Sequence, residues 1–468
     1  MNEKIKTPES YVELMLNEAG YTHNIYGKSV LENSCGDGNI LSVIVERYIC
    51  DAKRNGIGQK ELEERLEKDV CGYEIDQKLV KKCRDRLNQV AVNYCLDTIN
   101  WNIRQEDFLE NADGQYDFVF SNPPYITYHD LTEEQRESLR TSFDSCKIGR
   151  FDYYYAFIEK SLNVLNSKGI MVFLVPFSIF RNQYAESIRS KLLPGLEKVI
   201  DLRGKMIFPN ILVSAAIIRY SRNNESPIIS YQCEATKSLL FIEKKQLTGK
   251  WRFSSPQNSL QSFGEYFTVQ NSIATLCNKA YLFEPTSEDE KYYHIGGKYR
   301  IEKMVAFPAV STKTSRSKKK QMIIVPYFLY SGGYTRYSPK EFSIKFPKAE
   351  EYLKTRETEL ANRDVDKNCA WFEYGRSQAL TSVIGNKLVV SMVATRQYHT
   401  VLAKKDEIPF AGYFVKAKDG TKESLLKAKS ILESSSFYQY ICECGTPTTI
   451  DSYRISVKDI LDYPIEGL

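Results

Sequence analysis

The sequence contains no C-x-x-C pair, no apolar run long enough to cross a bilayer and no strong excess of either charge. Its 11 cysteines are odd in number and scattered, with only Cys442 and Cys444 close together. That distribution argues against a disulfide framework or a zinc ribbon and for reduced thiols in the cytoplasm, with no structural metal. The longest apolar stretch, GIMVFLVPFSIF, is short and interrupted by Pro176, and the N-terminal MNEKIKTPES lacks an apolar leader segment. Neither a membrane span nor a secretory signal is therefore expected. A net charge of +5 is compatible with a polyanionic partner but does not identify one.

What the chain does have is length and aromatic rings. Its 468 residues exceed what one hydrophobic core usually organises, so two domains are expected. A hydrophobic share of 42% and a charged share of 26% are those of a globular protein. The 32 tyrosines and 23 phenylalanines serve cores first, and flat rings of this kind also stack on bases.

The first half alternates strand and helix patterns. KSVLENS (28–34) reads as a buried strand, CGDGN as a turn and ILSVIVERYI as the helix that follows. DVCGYEID (69–76) is a second strand, followed by the helical QKLVKKCRDRL, and the charged KRNGIGQKELEERLEKD between the two units predicts an exposed helix. WNIRQEDF (101–108), YDFVF (116–120), GIMVFLV (169–175), KVIDL (198–202) and LVSAAIIRY (212–220) complete the strands. Ile158, Leu162 and Leu165 lie at helical spacing, and Gly169 is placed to cap that helix. Such alternation predicts an α/β fold with a mostly parallel sheet covered on both faces. After Ser221 the alternation stops at the polar SRNNESP, so the domains are expected to be 1–221 and 222–468.

Ligands of open α/β sheets bind beyond the carboxyl ends of the strands. The first strand delivers Glu32 and the turn Cys35-Gly36-Asp37-Gly38, whose glycines let a ligand approach the backbone; a tight turn alone would look the same. The second delivers Glu74, placed to accept from ribose hydroxyls, and Ile75, placed to cover an adenine; capping of the next helix is the plainer use of such an acid. The third delivers Asp107, able to accept from an adenine amine or to cap a helix, and the ring of Phe108.

The fourth strand ends in Asn122-Pro123-Pro124-Tyr125. This tetrapeptide should arise by chance in on the order of one in a thousand chains of such length, although Asn-Pro also makes good turns. An exocyclic amine is a poor nucleophile because its lone pair is delocalised into the ring. The Asn122 side-chain oxygen and the Pro123 carbonyl can draw its hydrogens out of plane, and prolines of fixed φ keep those acceptors aimed. Tyr125 supplies a stacking face.

With ENSCGDG before GYEID, QEDF and SNPPY, the first 220 residues resemble the gamma-class DNA adenine-N6 methyltransferases of type II restriction-modification. KIKTPESYVELML upstream and GRFDYYYAFIEKSLNVLNSKGIMVFLVP and IFPNILVSAAIIRY downstream are similar to the segments that flank those motifs in the family. The resemblance implies a class I S-adenosylmethionine-dependent methyltransferase fold, a Rossmann-like sheet, followed by a mixed α+β DNA-recognition domain. It implies that Thr7, Glu32, Cys35, Gly36 and Gly38 shape a methionine pocket and that Glu74 holds the ribose. Ile75 and Phe108 would sandwich the adenine, with Asp107 on its amine. Asn122 to Tyr125 would receive a flipped target adenine, with Phe208 on its other face, where a loop or core phenylalanine is the plainer reading. Position 33 departs from the pattern, with Asn in place of the usual Pro. RNA or protein-glutamine methylation, and a non-catalytic DNA-binding module, are the alternatives.

In the second half, EEYLKTRETELANRD, WFEYGRSQAL and the stretch after Lys387 are similar to target-recognition domains. Arg376 and Arg396, with Trp371, Tyr374, Gln397 and Tyr398, are candidates for contact with duplex DNA, and a structural role suits each as well. Lys313, Arg316, Lys318, Lys319 and Lys320 in KTSRSKKK suit phosphate contacts, or simply a solvated loop. Fewer than 35 residues precede the first motif and no P-D…E-x-K arrangement is evident, so a cognate endonuclease is expected on a separate chain.

Overall fold

In a computed structural model of the chain, the described residues are 6–97, 99–203, 207, 214–253, 261–315, 320–330, 332–449 and 452–465. They fall into two compact units, Met1–Ser255 with Thr446–Asp451, and Pro256–Gly445 with Ser452–Leu468.

The first unit runs α1 (Glu9–Glu18), β1 (Val30–Glu32), α2 (Asn39–Arg54), α3 (Gln59–Asp69), β2 (Val70–Tyr73), α4 (Gln77–Asn93), β3 (Asn102–Arg104), α5 (Phe108–Asn111) and β4 (Tyr116–Ser121). It continues through α6 (Glu133–Ser142), α7 (Tyr154–Asn163), β5 (Leu165–Pro176), α8 (Glu186–Leu192), β6 (Leu196–Asp201), β7 (Ala215–Ser221), β8 (Ile228–Cys233) and β9 (Ser238–Glu243). The strands form one nine-stranded sheet in the order β3-β2-β1-β4-β5-β7-β6-β8-β9. β3, β2, β1, β4 and β5 are mutually parallel, and β7 runs antiparallel to both β5 and β6.

Side-chain alternation distributes the strands' apolar residues to two faces. Leu31, Cys71, Val119 and Phe173 join one core with Ile158 of α7 and Ile188 of α8. Val30, Val70, Phe120 and Val172 join the other with Val12 of α1, Ile44 of α2 and Leu87 of α4. Helices on both faces account for strands that read as continuous apolar runs. Chain order reverses between β1 and β4, which opens a crevice beyond their carboxyl ends.

Two expectations are corrected. Gly169 does not cap a helix: α7 stops at Asn163 and β5 already begins at Leu165. Gly169 is needed there for close approach, since a Cβ would lie 2.9 Å from the Tyr116 carbonyl oxygen and closer still to Leu165. The first unit also does not end at Ser221. β8 pairs parallel with β6 and β9 closes a hairpin on it, and Trp251 and Phe253 are buried in the same core as Phe180.

The second unit has the mixed α+β character expected. A four-stranded antiparallel sheet joins residues 267–271, 413–417, 387–390 and 401–403, a second four-stranded sheet joins 282–283, 322–324, 306–310 and 408–409, and helices include Pro347–Lys354, Lys422–Leu432 and Ser435–Cys444. Among the described residues no helix is long and apolar enough to cross a membrane.

The entry to β1 is fixed by one carboxylate. Asp51 on α2 is buried and accepts from the backbone N–H groups of Asn24 at 3.0 Å, Ile25 at 2.8 Å and Tyr26 at 3.0 Å. Asp51→Ala leaves three donors without that acceptor and should lower stability by about 3 kcal/mol, read as a fall in the urea midpoint of the first unit's transition.

Candidate active site

The turn after β1 is built by backbone geometry. Gly36 and Gly38 have φ of +55° and +81°, and a Cβ on Gly38 would lie 2.7 Å from Cys83 Sγ of α4. Gly38 therefore requires glycine, and the backbone at Gly36 favours it. The Gly36 N–H donates to Glu74 Oε2 at 3.1 Å, and Asp76 N–H donates to Oε1 at 2.9 Å. Glu74 thus ties the first turn to the end of β2. Glu32 is buried and accepts from the Leu41 N–H at 3.1 Å. Burial, then the neighbouring Cys83, holds its carboxyl well above the usual range. The Cys35 thiol is raised by its hydrogen bond to Cys83 and by burial.

Ile75 is 67% exposed beside the buried Glu74, an apolar wall facing outward. Its expected partner is differently placed. The Phe108 ring is buried, edge-on to Tyr73 at 5.5 Å and stacked on Phe157 at 5.7 Å, so it is a core residue and not an exposed face like Ile75. Asp107 caps α5, with Oδ1 accepting from the Leu109 N–H at 2.8 Å.

Asn122 is held from both sides. Its Nδ2 donates to Thr7 Oγ1 at 3.0 Å, so the segment before α1 reaches the end of β4. Its Oδ1 is buried and has no hydrogen-bond partner among the described residues. The backbone carbonyl of Asn122 lies 3.4 Å from Ser34 Oγ. Tyr125 donates from its hydroxyl to the Leu174 carbonyl at 3.1 Å and stands edge-on to Tyr154 at 6.2 Å; burial raises its pKa.

The departure at position 33 has a structural use. Asn33 is buried, donates from Nδ2 to Ser161 Oγ of α7 at 2.9 Å and accepts from Ser34 and Ser121 hydroxyls. It therefore ties β1, β4 and α7 together one residue before Asn122.

Residues not anticipated from sequence complete the clamp. Asn39, the first residue of α2, donates to the Thr7 carbonyl; Arg86 of α4 donates to Asn39 Oδ1 at 3.0 Å and pairs with Asp37 at 2.6 Å. A polar residue directly after the Gly38 turn was a signal for Asn39. Nothing local marks Arg86.

Phe208, Arg316, Lys318 and Lys319 lie outside the described residues. Lys313 is exposed, and Lys320 pairs with Glu288 at 3.0 Å. Tyr374 and Tyr398 are core residues, buried with hydroxyls on the carbonyls of Ile324 at 2.7 Å and Ser391 at 2.6 Å, which removes them as surface contacts. Trp371 is half-buried, edge-on to Phe372. Arg376 pairs with Asp364 and Asp366 at 3.1 and 3.5 Å, while Arg396 and Gln397 are exposed. Among the described residues no group of three or more His, Cys, Asp or Glu is arranged to hold a metal ion.

Asp152 belongs to the segment behind the Asn122 loop, where the Tyr153 N–H donates to the Ile126 carbonyl at 3.0 Å. Burial pushes its carboxyl up to about 6, against a partial lowering by the Tyr155 hydroxyl. The folded state therefore holds a proton that the unfolded chain has lost above about pH 4, and stability falls as pH rises from about 4 to 6. Asp152→Asn should match the parent below pH 4 and exceed it by up to about 3 kcal/mol above pH 6, measured by denaturant melts across that range.

Residues 24–208 match the model of a family described as Eco57I restriction-modification methylase. The type II methyltransferase M.BstVI of Geobacillus stearothermophilus is 24% identical over 442 residues, covering 80% of this chain and 74% of that protein. The type II restriction enzyme and methyltransferase RM.Eco57I of Escherichia coli is 22% identical over 351 residues, covering 64% of this chain but 35% of that longer protein. M.PaeR7I of Pseudomonas aeruginosa is 30% identical over 201 residues, covering 40% of this chain and 34% of that protein. The solved structure of the type IIL restriction-modification enzyme MmeI in complex with DNA shares the fold at a TM-score of 0.59 and 12% identity, covering 96% of this chain and 63% of that one. The segment matched by that family's model, residues 24–208, carries the turn after β1, Glu74 and Asn122 to Tyr125.

Proposed function

We propose that the protein is an S-adenosylmethionine-dependent DNA methyltransferase that methylates N6 of adenine in duplex DNA, with the second unit reading the target sequence. The observation that carries this reading is the buried, unpartnered Oδ1 of Asn122, whose Nδ2 is fixed on Thr7. An orphaned buried acceptor costs about 1–3 kcal/mol, and an incoming amine would satisfy it. Type II methyltransferases among the relatives, and the DNA complex of the fold neighbour MmeI, support DNA as the substrate. RM.Eco57I joins both activities in one longer protein; an endonuclease serving this chain is proposed as a separate protein.

The donor set fits the cofactor: glycines at positive φ, a carboxylate at the end of β2 and an exposed aliphatic wall beside it. Glu32 and the turn Cys35 to Gly38 would line the methionine end, Glu74 would accept from the ribose, Ile75 would cover the adenine and Asp107 would receive its amine. Bound there, S-adenosylmethionine supplies an electrophilic sulfonium methyl. The target base leaves the duplex at a cost of a few kcal/mol and stacks on Tyr125. Asn122 Oδ1 and the Pro123 carbonyl accept its two N6 hydrogens, which restores lone-pair density on nitrogen. Transfer would exchange the sulfur–methyl bond for an N–C bond, after which one N6 proton would leave to solvent. Asn122 is no base, so rate depends on polarisation and positioning.

Two variants separate the roles. Asn122→Ala should lower methyl transfer to duplex DNA by about 100-fold or more while calorimetric binding of S-adenosylmethionine persists. Glu74→Ala should weaken cofactor affinity about tenfold or more, since a hydrogen bond to a charged group contributes roughly 1.5–3 kcal/mol. Nucleoside mass spectrometry of the labelled product identifies the methylated atom; label in RNA or protein alone, or full activity of the Asn122 variant, overturns the assignment.

A further inference from the structure

A line of hydrogen bonds connects the turn after β1 with the end of β4. Asp37, between the two glycines of positive φ, pairs with Arg86 of α4 at 2.6 Å. Arg86 donates in turn to Asn39 Oδ1 at 3.0 Å, and Asn39 Nδ2 donates to the Thr7 carbonyl. The Thr7 hydroxyl then accepts from Asn122 Nδ2 at 3.0 Å. Thr7 is buried and directly precedes Pro8, the N-cap of α1. That helix is seated in the core by Val12, Met15 and Leu16, so Thr7 sits between a fixed helix and the Asn39 amide.

The direction of donation along this line has one origin. A carboxamide can present either end to a neighbour, and a hydroxyl can donate or accept, so neither Asn39 nor Thr7 sets its own polarity. A guanidinium carries donors only. Facing Arg86, Asn39 must present Oδ1, which leaves Nδ2 for the Thr7 carbonyl. With the amide turned over, donor would face donor at Arg86 and oxygen would face oxygen at Thr7. We propose that Arg86 is a positioning residue for methyl transfer: by orienting the Asn39 amide it holds the Thr7 backbone where the Thr7 hydroxyl receives Asn122 Nδ2. The inference rests on the methyltransferase reading above, because Arg86 acts on the reaction only through the Asn122 carboxamide. Asp37 offsets the guanidinium charge and ties it to the turn.

Steady-state methylation of duplex DNA by the full chain, with S-adenosylmethionine saturating, tests this. Asn39→Asp keeps an acceptor for Arg86 but cannot donate to the Thr7 carbonyl. Misplacing a reacting group by about 1 Å costs up to roughly 100-fold, so kcat should fall about tenfold or more, with the KM for DNA and the melting temperature unchanged. Arg86→Leu should lower kcat likewise, and Arg86→Lys, which restores a donor-only group, should recover most of that loss. In an Asn122→Ala background, Asn39→Asp should leave the residual rate as it is, because no carboxamide remains to be placed; a general weakening of the fold would act alike in both backgrounds. Parent kcat in Asn39→Asp or Arg86→Leu, or the same fold-loss with and without Asn122, overturns the positioning role and leaves the methyltransferase reading standing. A parent chain that methylates no DNA overturns both.

Discussion

A buried amide oxygen left without a donor is among the more costly states a side chain can occupy, and the candidate site is arranged around one. The Asn122 carboxamide is anchored through its nitrogen, which donates to Thr7 Oγ1. Its backbone is fixed as well: Asn33, Ser34, Ser121 and Ser161 join β1, β4 and α7 immediately behind it. The two prolines that follow have no N–H to orphan, and their fixed φ limits relaxation of the loop. The unsatisfied acceptor is therefore preorganised by elements drawn from far along the chain.

This constraint explains why the topology matters. Glu32 and Asn122 are brought together only because β1 and β4 are parallel neighbours where the strand order reverses. The parallel pairing of β1 with β2 on its other side lets Gly36 reach Glu74. The positive φ of Gly38 and the Cys83 side chain packed against it exclude any larger residue at that point of the turn. Arg86 and Asn39 then anchor the turn to α4 and to the Thr7 segment. One crevice thus holds a backbone cradle, a carboxylate and an aimed acceptor.

Much of this was legible because it is local. Apolar strands, helical spacing, glycine turns and the Asn-Pro-Pro-Tyr string are written within a few residues of one another, and strand ends identify where chemistry gathers. What was not legible is long-range. Thr7 and Asn122 are separated by 115 positions, and Asn33 looks like a defect until Ser121 and Ser161 are beside it. Phe108 was expected at an open face because aromatic character suits both stacking and burial; its neighbours Tyr73 and Phe157 decide for burial. Gly169 looked like a helix end, whereas its need for room next to Tyr116 arises only once β4 and β5 pair. The hairpin of β8 and β9 moved the boundary because its helix-free connection breaks the alternation without leaving the sheet.

The second unit shows the same distinction between what a residue type suggests and what its surroundings permit. Tyr374 and Tyr398 carry hydroxyls that reach backbone carbonyls inside the core; pulling either out to meet a ligand would orphan that carbonyl and open a cavity. Arg376 differs. Its guanidinium is bound to Asp364 and Asp366 at the surface, where Asp364 is almost fully exposed. Exposed pairs of this kind contribute about 0–1 kcal/mol, and the guanidinium donates as well to the backbone carbonyls of Asp364 and Gly375. In the proposed reading of this unit, Arg376 remains the surface contact, while Tyr374 and Tyr398 belong to the scaffold.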